Sequence, residues 1–522
     1  MSSSQDLSIH IQTMDFNPHD SEITITGNCP SHIQTFEMKH DNSTKTISNT
    51  APWFTIKHKL DKSKQTSLCF SANDAALTLT FVNHTAKLSS EKSYWRAGNF
   101  IVSHNNTAIT FAKYYISRHV LYELRTLWSI ISARKLKPLV LRIAYIITQP
   151  FFKKNIWLFS DKMYMAADNA EYLYRYSLNQ KDDAKKYYIL SKKSPDAHRF
   201  RQSRLKFVPH GSLYHRLLFL NSKLIFFTEN NVPNCHCFSP ENECFFRGLF
   251  NYDVLYIQHG LTIQNMSWML NRSLDNFKLF FVASHFETEN LLKDGYGYSD
   301  QQIVKSGLPR YDTLVNDPSK TILIAPTWRK SLEQFMVDGH IEGFRKTSYF
   351  KTYNSLINHP QLLESAQKHG YNIVFLLHPL ISSEINTFKR NDIVDIVEST
   401  DSAKYKLLLT KSSLMVTDYS GVQFDFAYMN KPIVYFHPPE TPPSYEEGVF
   451  KYSRHALGEI TTSLDQLVNL IDGYMRNNCL LKQEYQKRIN GFFYHRDYRN
   501  CERIYTTAIK YQREHQYINR PS

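Results

Sequence analysis

Apolar and polar positions alternate with period two over residues 5 to about 100. The runs Leu7-Ser8-Ile9-His10-Ile11, Glu22-Ile23-Thr24-Ile25-Thr26, Trp53-Phe54-Thr55-Ile56-Lys57 and Leu77-Thr78-Leu79-Thr80-Phe81 each offer one face for burial. Asn, Asp, Ser or Gly separates them, so short strands and a small β-sandwich are predicted over 1–105. From Phe111 to Lys154 the period becomes helical. Tyr114, Tyr115, Ile116, Leu121, Leu124, Leu127, Trp128, Ile130 and Ile131 interleave there with Lys113, Arg118, Arg125, Arg134, Lys135, Lys137, Arg142, Lys153 and Lys154. This pattern predicts basic amphipathic helices over 106–154, which either lie on an anionic membrane surface or link two packed bodies. After Asn155, short apolar runs alternate with helical stretches. Strands are predicted at 156–159, 187–190, 224–228, 254–257 and 279–282, then at 321–324, 372–377, 414–416 and 432–436. Two such sets, 155–315 and 316–522, predict α/β architecture: two Rossmann-type domains with parallel sheets and a ligand cleft beyond the carboxyl ends of the strands.

Composition narrows the class. A chain of 522 residues exceeds one ordinary domain. Lysine and arginine exceed aspartate and glutamate by 14, which suits a polyanionic substrate, an anionic membrane face or nucleic acid. No RNA-binding signature accompanies that charge, so a nucleic-acid partner is not expected. The seven cysteines are scattered and odd in number, as expected for reduced cytosolic thiols. The opening MSSSQDLSIHIQ lacks a signal pattern, and no uncharged apolar run reaches the ~18–20 residues of a span. A soluble or peripheral protein is expected.

Candidate chemistry gathers where predicted strands end. Leu414-Met415-Val416 empties into Thr417-Asp418-Tyr419-Ser420-Gly421 and then a helical segment, Val422 to Met429. A helix N-terminus there presents unpartnered N–H groups to an anion, although many such junctions are only packing corners. His259 directly follows one strand, with Gly260 permitting a close turn, and His378 follows another. A near-neutral imidazole can deprotonate a hydroxyl, and a charged one can stabilise a phosphate. Pro326-Thr327-Trp328-Arg329 supplies a hydroxyl and a guanidinium, and Arg310 lies near the join of the two sets. The cluster Cys235-His236-Cys237…Cys244 lacks paired C-x-x-C spacing, so neither metal nor cofactor is expected.

Taken in order, IWLFSDK…ADNAEYLYRY, YIQHGLT, SGLPRYDTL, IAPTWR, LLHP and TDYSGVQFDFAYMNKPIVYF span about 155–515. This set resembles the CDP-glycerol glycerophosphotransferases of teichoic-acid synthesis, the TagB/TagF type. The resemblance implies a GT-B-like pair of domains at the cytoplasmic face of the membrane, with CDP held by the second domain and the acceptor by the first. It implies His259 and His378 as catalytic residues. It implies substrate contacts at Gly260, Leu261, Thr262, Ile263, Arg310, Pro326, Thr327, Ser420, Gly421 and Asp425, beside Arg329 from the strand-end reading. Ser420-Gly421 stands where the family often has Ser-Ser, and Leu376 where it often has a basic residue.

The expected reaction is attack by a hydroxyl of a lipid-linked glycan or polyol-phosphate chain on the β-phosphorus of CDP-glycerol or CDP-ribitol, releasing CMP. His259 is then the base. His378, Thr327, Ser420 and Gly421 stabilise charge, while Arg310 and Asp425 position the polyol and phosphate. A glycosyltransferase using a sugar nucleotide and a non-catalytic membrane-surface scaffold are the other readings. The 1–105 module is expected to be an accessory.

Overall fold

The computed structural model describes residues 7–41, 43–49, 53–89, 93–152, 155–229, 238–333, 341–398, 402–444 and 446–516. Residues 235–237, the start of the Cys-His cluster, lie outside them. The four alternating runs all form strands of one sheet, and a second sheet is built from the strands between and after them. One sheet runs Phe54–Lys59, Glu22–Asn28, Ser8–Asn17, Thr78–Phe81; the other is built around Thr35–His40, Thr66–Ala72, Ala108–Lys113 and Phe100–His104. Their inward positions share one core: Ile9, Ile25 and Leu79 from the first, Phe36, Phe70 and Phe111 from the second. The β region therefore ends at Lys113 rather than 105. Ala108–Lys113 pairs antiparallel with Phe100–His104, and its buried Ile109 and Phe111 complete the shared core.

Helices Ile116–Ser132 and Leu136–Thr148 follow. Arg142, expected among the surface cations, is buried at 3 % exposure. Its Nη2 donates to Glu123 at 2.8 Å, and its Nη1 donates to the Phe245 carbonyl. Tyr94 of the β region donates to the same Glu123. One ion pair thus ties the β region, both helices and the following α/β layers together, and a buried pair of this kind is costly to break. The apolar residues divide. Ile130 and Leu141 face inward, whereas Ile116, Val120, Leu124, Trp128, Ile131 and Val140 are exposed. No described helix is long and apolar enough to cross a membrane.

Two parallel sheets make up the rest. The first runs Val208–Pro209, Lys185–Leu190, Ile156–Ser160, Leu224–Phe227, Asp253–Tyr256, Leu279–Val282, Ile303–Lys305. The second runs Val394–Glu398, Asn372–Leu377, Thr321–Ile324, Leu414–Thr417, Ile433–Phe436, Glu459–Thr461. In both, chain order reverses between the first strand and the fourth, and ligands bind beyond the strand ends at such a switch point. Alternation explains the continuous apolar runs. Ile156 and Leu158 enter the core on one face, Trp157 and Phe159 the core on the other. Both faces are covered by helices, so every position is apolar.

The expected division at 316–522 misplaces the chain's last described helix, Asn500–Gln516. It returns to the first sheet, where Cys501, Ile504, Tyr505 and Ala508 pack with Trp157 and Leu173. Asp312 accepts from the Asn500 and Cys501 amides at 2.8 and 2.7 Å, satisfying the start of this helix. Amphipathicity predicts such a helix but not which sheet it covers.

Candidate active site

The first sheet contributes a histidine and the carboxylate that holds it. Strand Asp253–Tyr256 leads through Ile257 to Gln258, which adopts φ 37°. The left-handed residue of this turn is Gln258 rather than Gly260, at a cost of roughly 1–2 kcal/mol. Its side-chain Nε2 compensates by donating to the Phe281 carbonyl at 2.8 Å and Glu287 Oε1 at 2.6 Å. The turn swings His259 outward, with its side chain 53 % exposed, and Nδ1 meets Asp168 Oδ2. That contact directs the other ring nitrogen, Nε2, away from the carboxylate.

Asp168 is the residue before helix Asn169–Leu178. The start of that helix is held by Asp161, which accepts from the Ala170 and Glu171 amides at 2.9 and 3.1 Å and from the Tyr188 hydroxyl at 2.7 Å. Burial and the neighbouring Asp168 charge push Asp161 up, to about 8. Burial pushes Asp168 up as well, but the His259 imidazole and Arg310 guanidinium outweigh it and hold this carboxyl well below the usual range. The negative charge of the pair therefore sits on Asp168, beside the histidine.

Beyond Gly260 the expected contacts turn inward. Leu261 and Ile263 pack in the core between the sheets, and the Thr262 hydroxyl donates to Gln258 Oε1 at 3.0 Å. Their side chains are committed to packing, because the segment passes under the second sheet.

In the second sheet, Asp418 is the organising residue. It follows strand Leu414–Thr417 and is fully buried. It accepts from the Thr327 amide at 2.8 Å, the Tyr419 amide at 2.6 Å and Arg329 Nη2 at 2.7 Å. Arg329 also donates to the carbonyls of Thr441 and Thr327 and is 4 % exposed. The guanidinium expected to grip a phosphate is instead an internal brace, since Asp418 neutralises it and four of its five donors are taken. Pro326 is buried, whereas the Thr327 hydroxyl is buried without a hydrogen-bond partner. Ser420 and Gly421 lie at the following turn, where a Cβ on Gly421 would meet no atom within 4 Å. The helix after it is only Gln423–Tyr428.

His378 ends strand Asn372–Leu377, and its ring lies 6.4 Å from that of Trp328. Nδ1 accepts from the Leu380 amide at 3.3 Å, which places the ring proton on Nε2. Burial, then the charges of Lys162 and His259, hold its pKa down to about 4. The charged imidazole expected here is therefore a neutral N–H donor at neutral pH. Lys162, 3.8 Å from Glu229, is the cation nearby.

Arg310 joins the two sides. Its Nε and Nη2 donate to both oxygens of Asp425 at 2.6 and 2.8 Å, and its Nη1 to Asp168 Oδ1 at 2.8 Å. Expected to position substrate, Arg310 and Asp425 are paired with each other. Asp168, Asp161, Lys162 and Asp418 escaped the sequence reading, although Asp161, Lys162 and Asp418 lie at strand ends and Asp168 at the start of the helix that follows. The strand-end rule found the histidines and would have found Asp161, Lys162 and Asp418 had it been applied to all charged residues, whereas Asp168 is marked only by the helix it precedes.

A family model described as CDP-Glycerol:Poly(glycerophosphate) glycerophosphotransferase matches residues 141–510. The chain is 34 % identical over 380 residues to minor teichoic acid biosynthesis protein GgaB of Bacillus subtilis (strain 168), covering 72 % of this chain and 42 % of that protein. It is 23 % identical over 361 residues to a teichoic acid poly(glycerol phosphate) polymerase of Staphylococcus epidermidis, covering 63 % and 46 %. The chain thus spans less than half the length of these curated relatives. The wall teichoic acid polymerase TagF superposes with TM-score 0.53 over 76 % of this chain and 98 % of that one, at 16 % identity, a likeness of fold.

Proposed function

The chain belongs to the CDP-glycerol:poly(glycerophosphate) glycerophosphotransferase family, and on that premise we propose that it transfers glycerol phosphate from CDP-glycerol to a hydroxyl of a lipid-linked or polymeric teichoic-acid acceptor. The observation that carries this reading is His259, fixed through Nδ1 by Asp168 with Nε2 free for an acceptor hydroxyl. The hydroxyl oxygen bonds to the β-phosphorus as its proton passes to Nε2. The bond from that phosphorus to the oxygen bridging the two phosphates breaks, and CMP leaves with both electrons. The imidazolium then returns its proton to solvent. Such a displacement requires positioning and charge stabilisation. The unpartnered Thr327 hydroxyl, Ser420, the open turn at Gly421 and the His378 Nε2–H supply these on the donor side, and Lys162 adds a cation from the acceptor side.

The architecture that fits this role is GT-B. Residues 155–315 with the returning helix 500–516 form the acceptor domain, and 316–499 the CDP domain. The N-terminal β-sandwich, extended to Lys113, is an accessory. CMP released from CDP-glycerol with acceptor present tests the reaction. Release from CDP-ribitol alone moves the assignment to that polyol, and UDP released from a UDP-sugar panel in place of CMP overturns it.

The helical pair 116–148 is the membrane contact, at the cytoplasmic face. Ile116, Val120, Leu124, Trp128 and Ile131 form an exposed stripe at helical spacing, flanked by Arg118, Arg125, Arg134, Lys135 and Lys137. Burying a large apolar side chain contributes about 1.5–3 kcal/mol. Changing Leu124 and Trp128 together to Asp is therefore expected to weaken binding to phosphatidylglycerol vesicles at least about 100-fold. Co-sedimentation measures it, and unchanged binding removes the helices from this role.

A further inference from the structure

A cavity of about 2240 Å³ lies at the end of the first parallel sheet opposite His259, between that sheet, the β region and helix Ile116–Ser132. Its floor is the amino-terminal edge of the sheet. Lys185, Lys223, Asp253 and Lys278 line it, each at or one residue before the start of a strand. The β region supplies the opposite wall through Asp15, Lys87 and Arg96. The two walls are pinned together. Arg247 donates to the Phe81 carbonyl at 2.9 Å, the Ser89 hydroxyl to the Cys244 carbonyl at 2.6 Å, and Asn276 to Asp15 at 3.0 Å. The space is therefore a fixed feature of the fold, and it is more than twice the roughly 300–1,000 Å³ of a site for one small molecule.

The charges around it are unevenly engaged. Its carboxylates have partners: Asp15 has Lys278, Glu123 has Arg142, Asp182 has Lys186, and Asp253 has the Tyr511 hydroxyl. Among the described residues, Lys87, Arg96 and Lys185 have no carboxylate within ion-pair distance. Lys87 Nζ donates to the Phe250 carbonyl at 2.6 Å, and burial, then the charge of Lys278, pulls its pKa down to about 8. A cation so placed is stabilised by an added anion. The Arg96 guanidinium lies 4.0 Å from the centre of the Tyr114 ring. Val120 and Leu124, on the exposed stripe assigned to the membrane, line the same cavity, so it opens beside that surface.

We infer that this cavity is a holding site for the acceptor chain, binding phosphate-linked polyol units already made while the chain's free end occupies the cleft at His259. The inference rests on the transfer reaction proposed above. The volume selects a chain segment over a single unit, and the unpaired cations select its phosphodiesters. The opening beside the helices admits a chain that runs from a lipid anchor. Asp253 and His259 lie at opposite ends of one strand and its turn, up to roughly 20 Å apart at about 3.3 Å per residue. A chain shorter than that cannot reach both places, and a single-unit acceptor fills the cleft alone.

Calorimetry of soluble poly(glycerol phosphate) with the full chain, without CDP-glycerol, tests the site directly. Long chains should bind at least about tenfold more tightly than glycerol phosphate, and Lys87→Gln with Lys185→Gln should remove that difference. In turnover the same double variant should raise KM for long acceptors about tenfold, with kcat and the KM of a single-unit acceptor within about twofold of the parent. If Lys87→Gln does not fold, Arg96→Glu with Lys185→Glu decides, since both side chains are exposed. Equal effects on long and short acceptors, or none, overturn the inference. So does loss of binding to phosphatidylglycerol vesicles with polymer binding unchanged, which makes the cavity a headgroup site. Long-chain binding that needs these cations, with no CMP released from CDP-glycerol, removes the proposed reaction and leaves the polymer site standing.

Discussion

His259→Ala lowers CMP release by about 100- to 10,000-fold, the contribution of a positioned general base, and leaves the fold intact. The two halves of that expectation have separate causes. The imidazole is more than half exposed and its ring nitrogen meets one side chain, so its removal opens no core cavity. Nor does it strand a buried charge, because Asp168 keeps its 2.8 Å bond to Arg310. Rate is lost because no other group at the strand end can take the hydroxyl proton: Asp168 is held far below the pKa a base needs, and Gln258 is neutral and engaged. Turnover with saturating CDP-glycerol, set beside thermal denaturation of the same preparation, measures both. Near-normal turnover means that another group is the base.

Asp418→Ala has the largest expected effect on stability. It leaves the Arg329 guanidinium buried with carbonyl partners but no anion. Removing one member of a buried pair costs about 3–5 kcal/mol, which lowers the melting temperature by roughly 6–20 °C for a domain of this size. The Thr327 and Tyr419 amides lose their acceptor at the same time, so the two loops around the donor turn loosen together. CDP-glycerol binding should fail even at temperatures where the variant is folded. Changing the pair together, Asp418→Leu with Arg329→Met, separates the effects. Stability returns in part, because no charge is left buried alone, and binding does not return. A single variant that melts within 2 °C of the parent, to about that precision, would contradict the brace.

The parallel sheets were legible because their signal is local. A strand covered on both faces must be apolar at every position, and all nine predicted strands of 155–436 are present within a residue or two. Strand ends were legible for the same reason, which is how His259 and His378 were found. The β region's end was misjudged because Ala108–Lys113 begins and ends with residues that suit a helix equally well. Its partner Phe100–His104 decides the matter.

What the sequence by itself determined is therefore the α/β class, nine of the thirteen described strands of the two parallel sheets and the residues that stand where those strands end. Only the tertiary structure decided how those residues are spent. Arg310 and Arg329 look alike as sequence, each a strand-proximal cation suited to phosphate. One proves to clamp two carboxylates 142 and 115 residues away, and the other is neutralised by a buried aspartate 89 residues on. Periodicity records whether a position faces a core. It carries no record of which distant carboxylate the fold brings within 3 Å, and for a buried charge that partner decides its role.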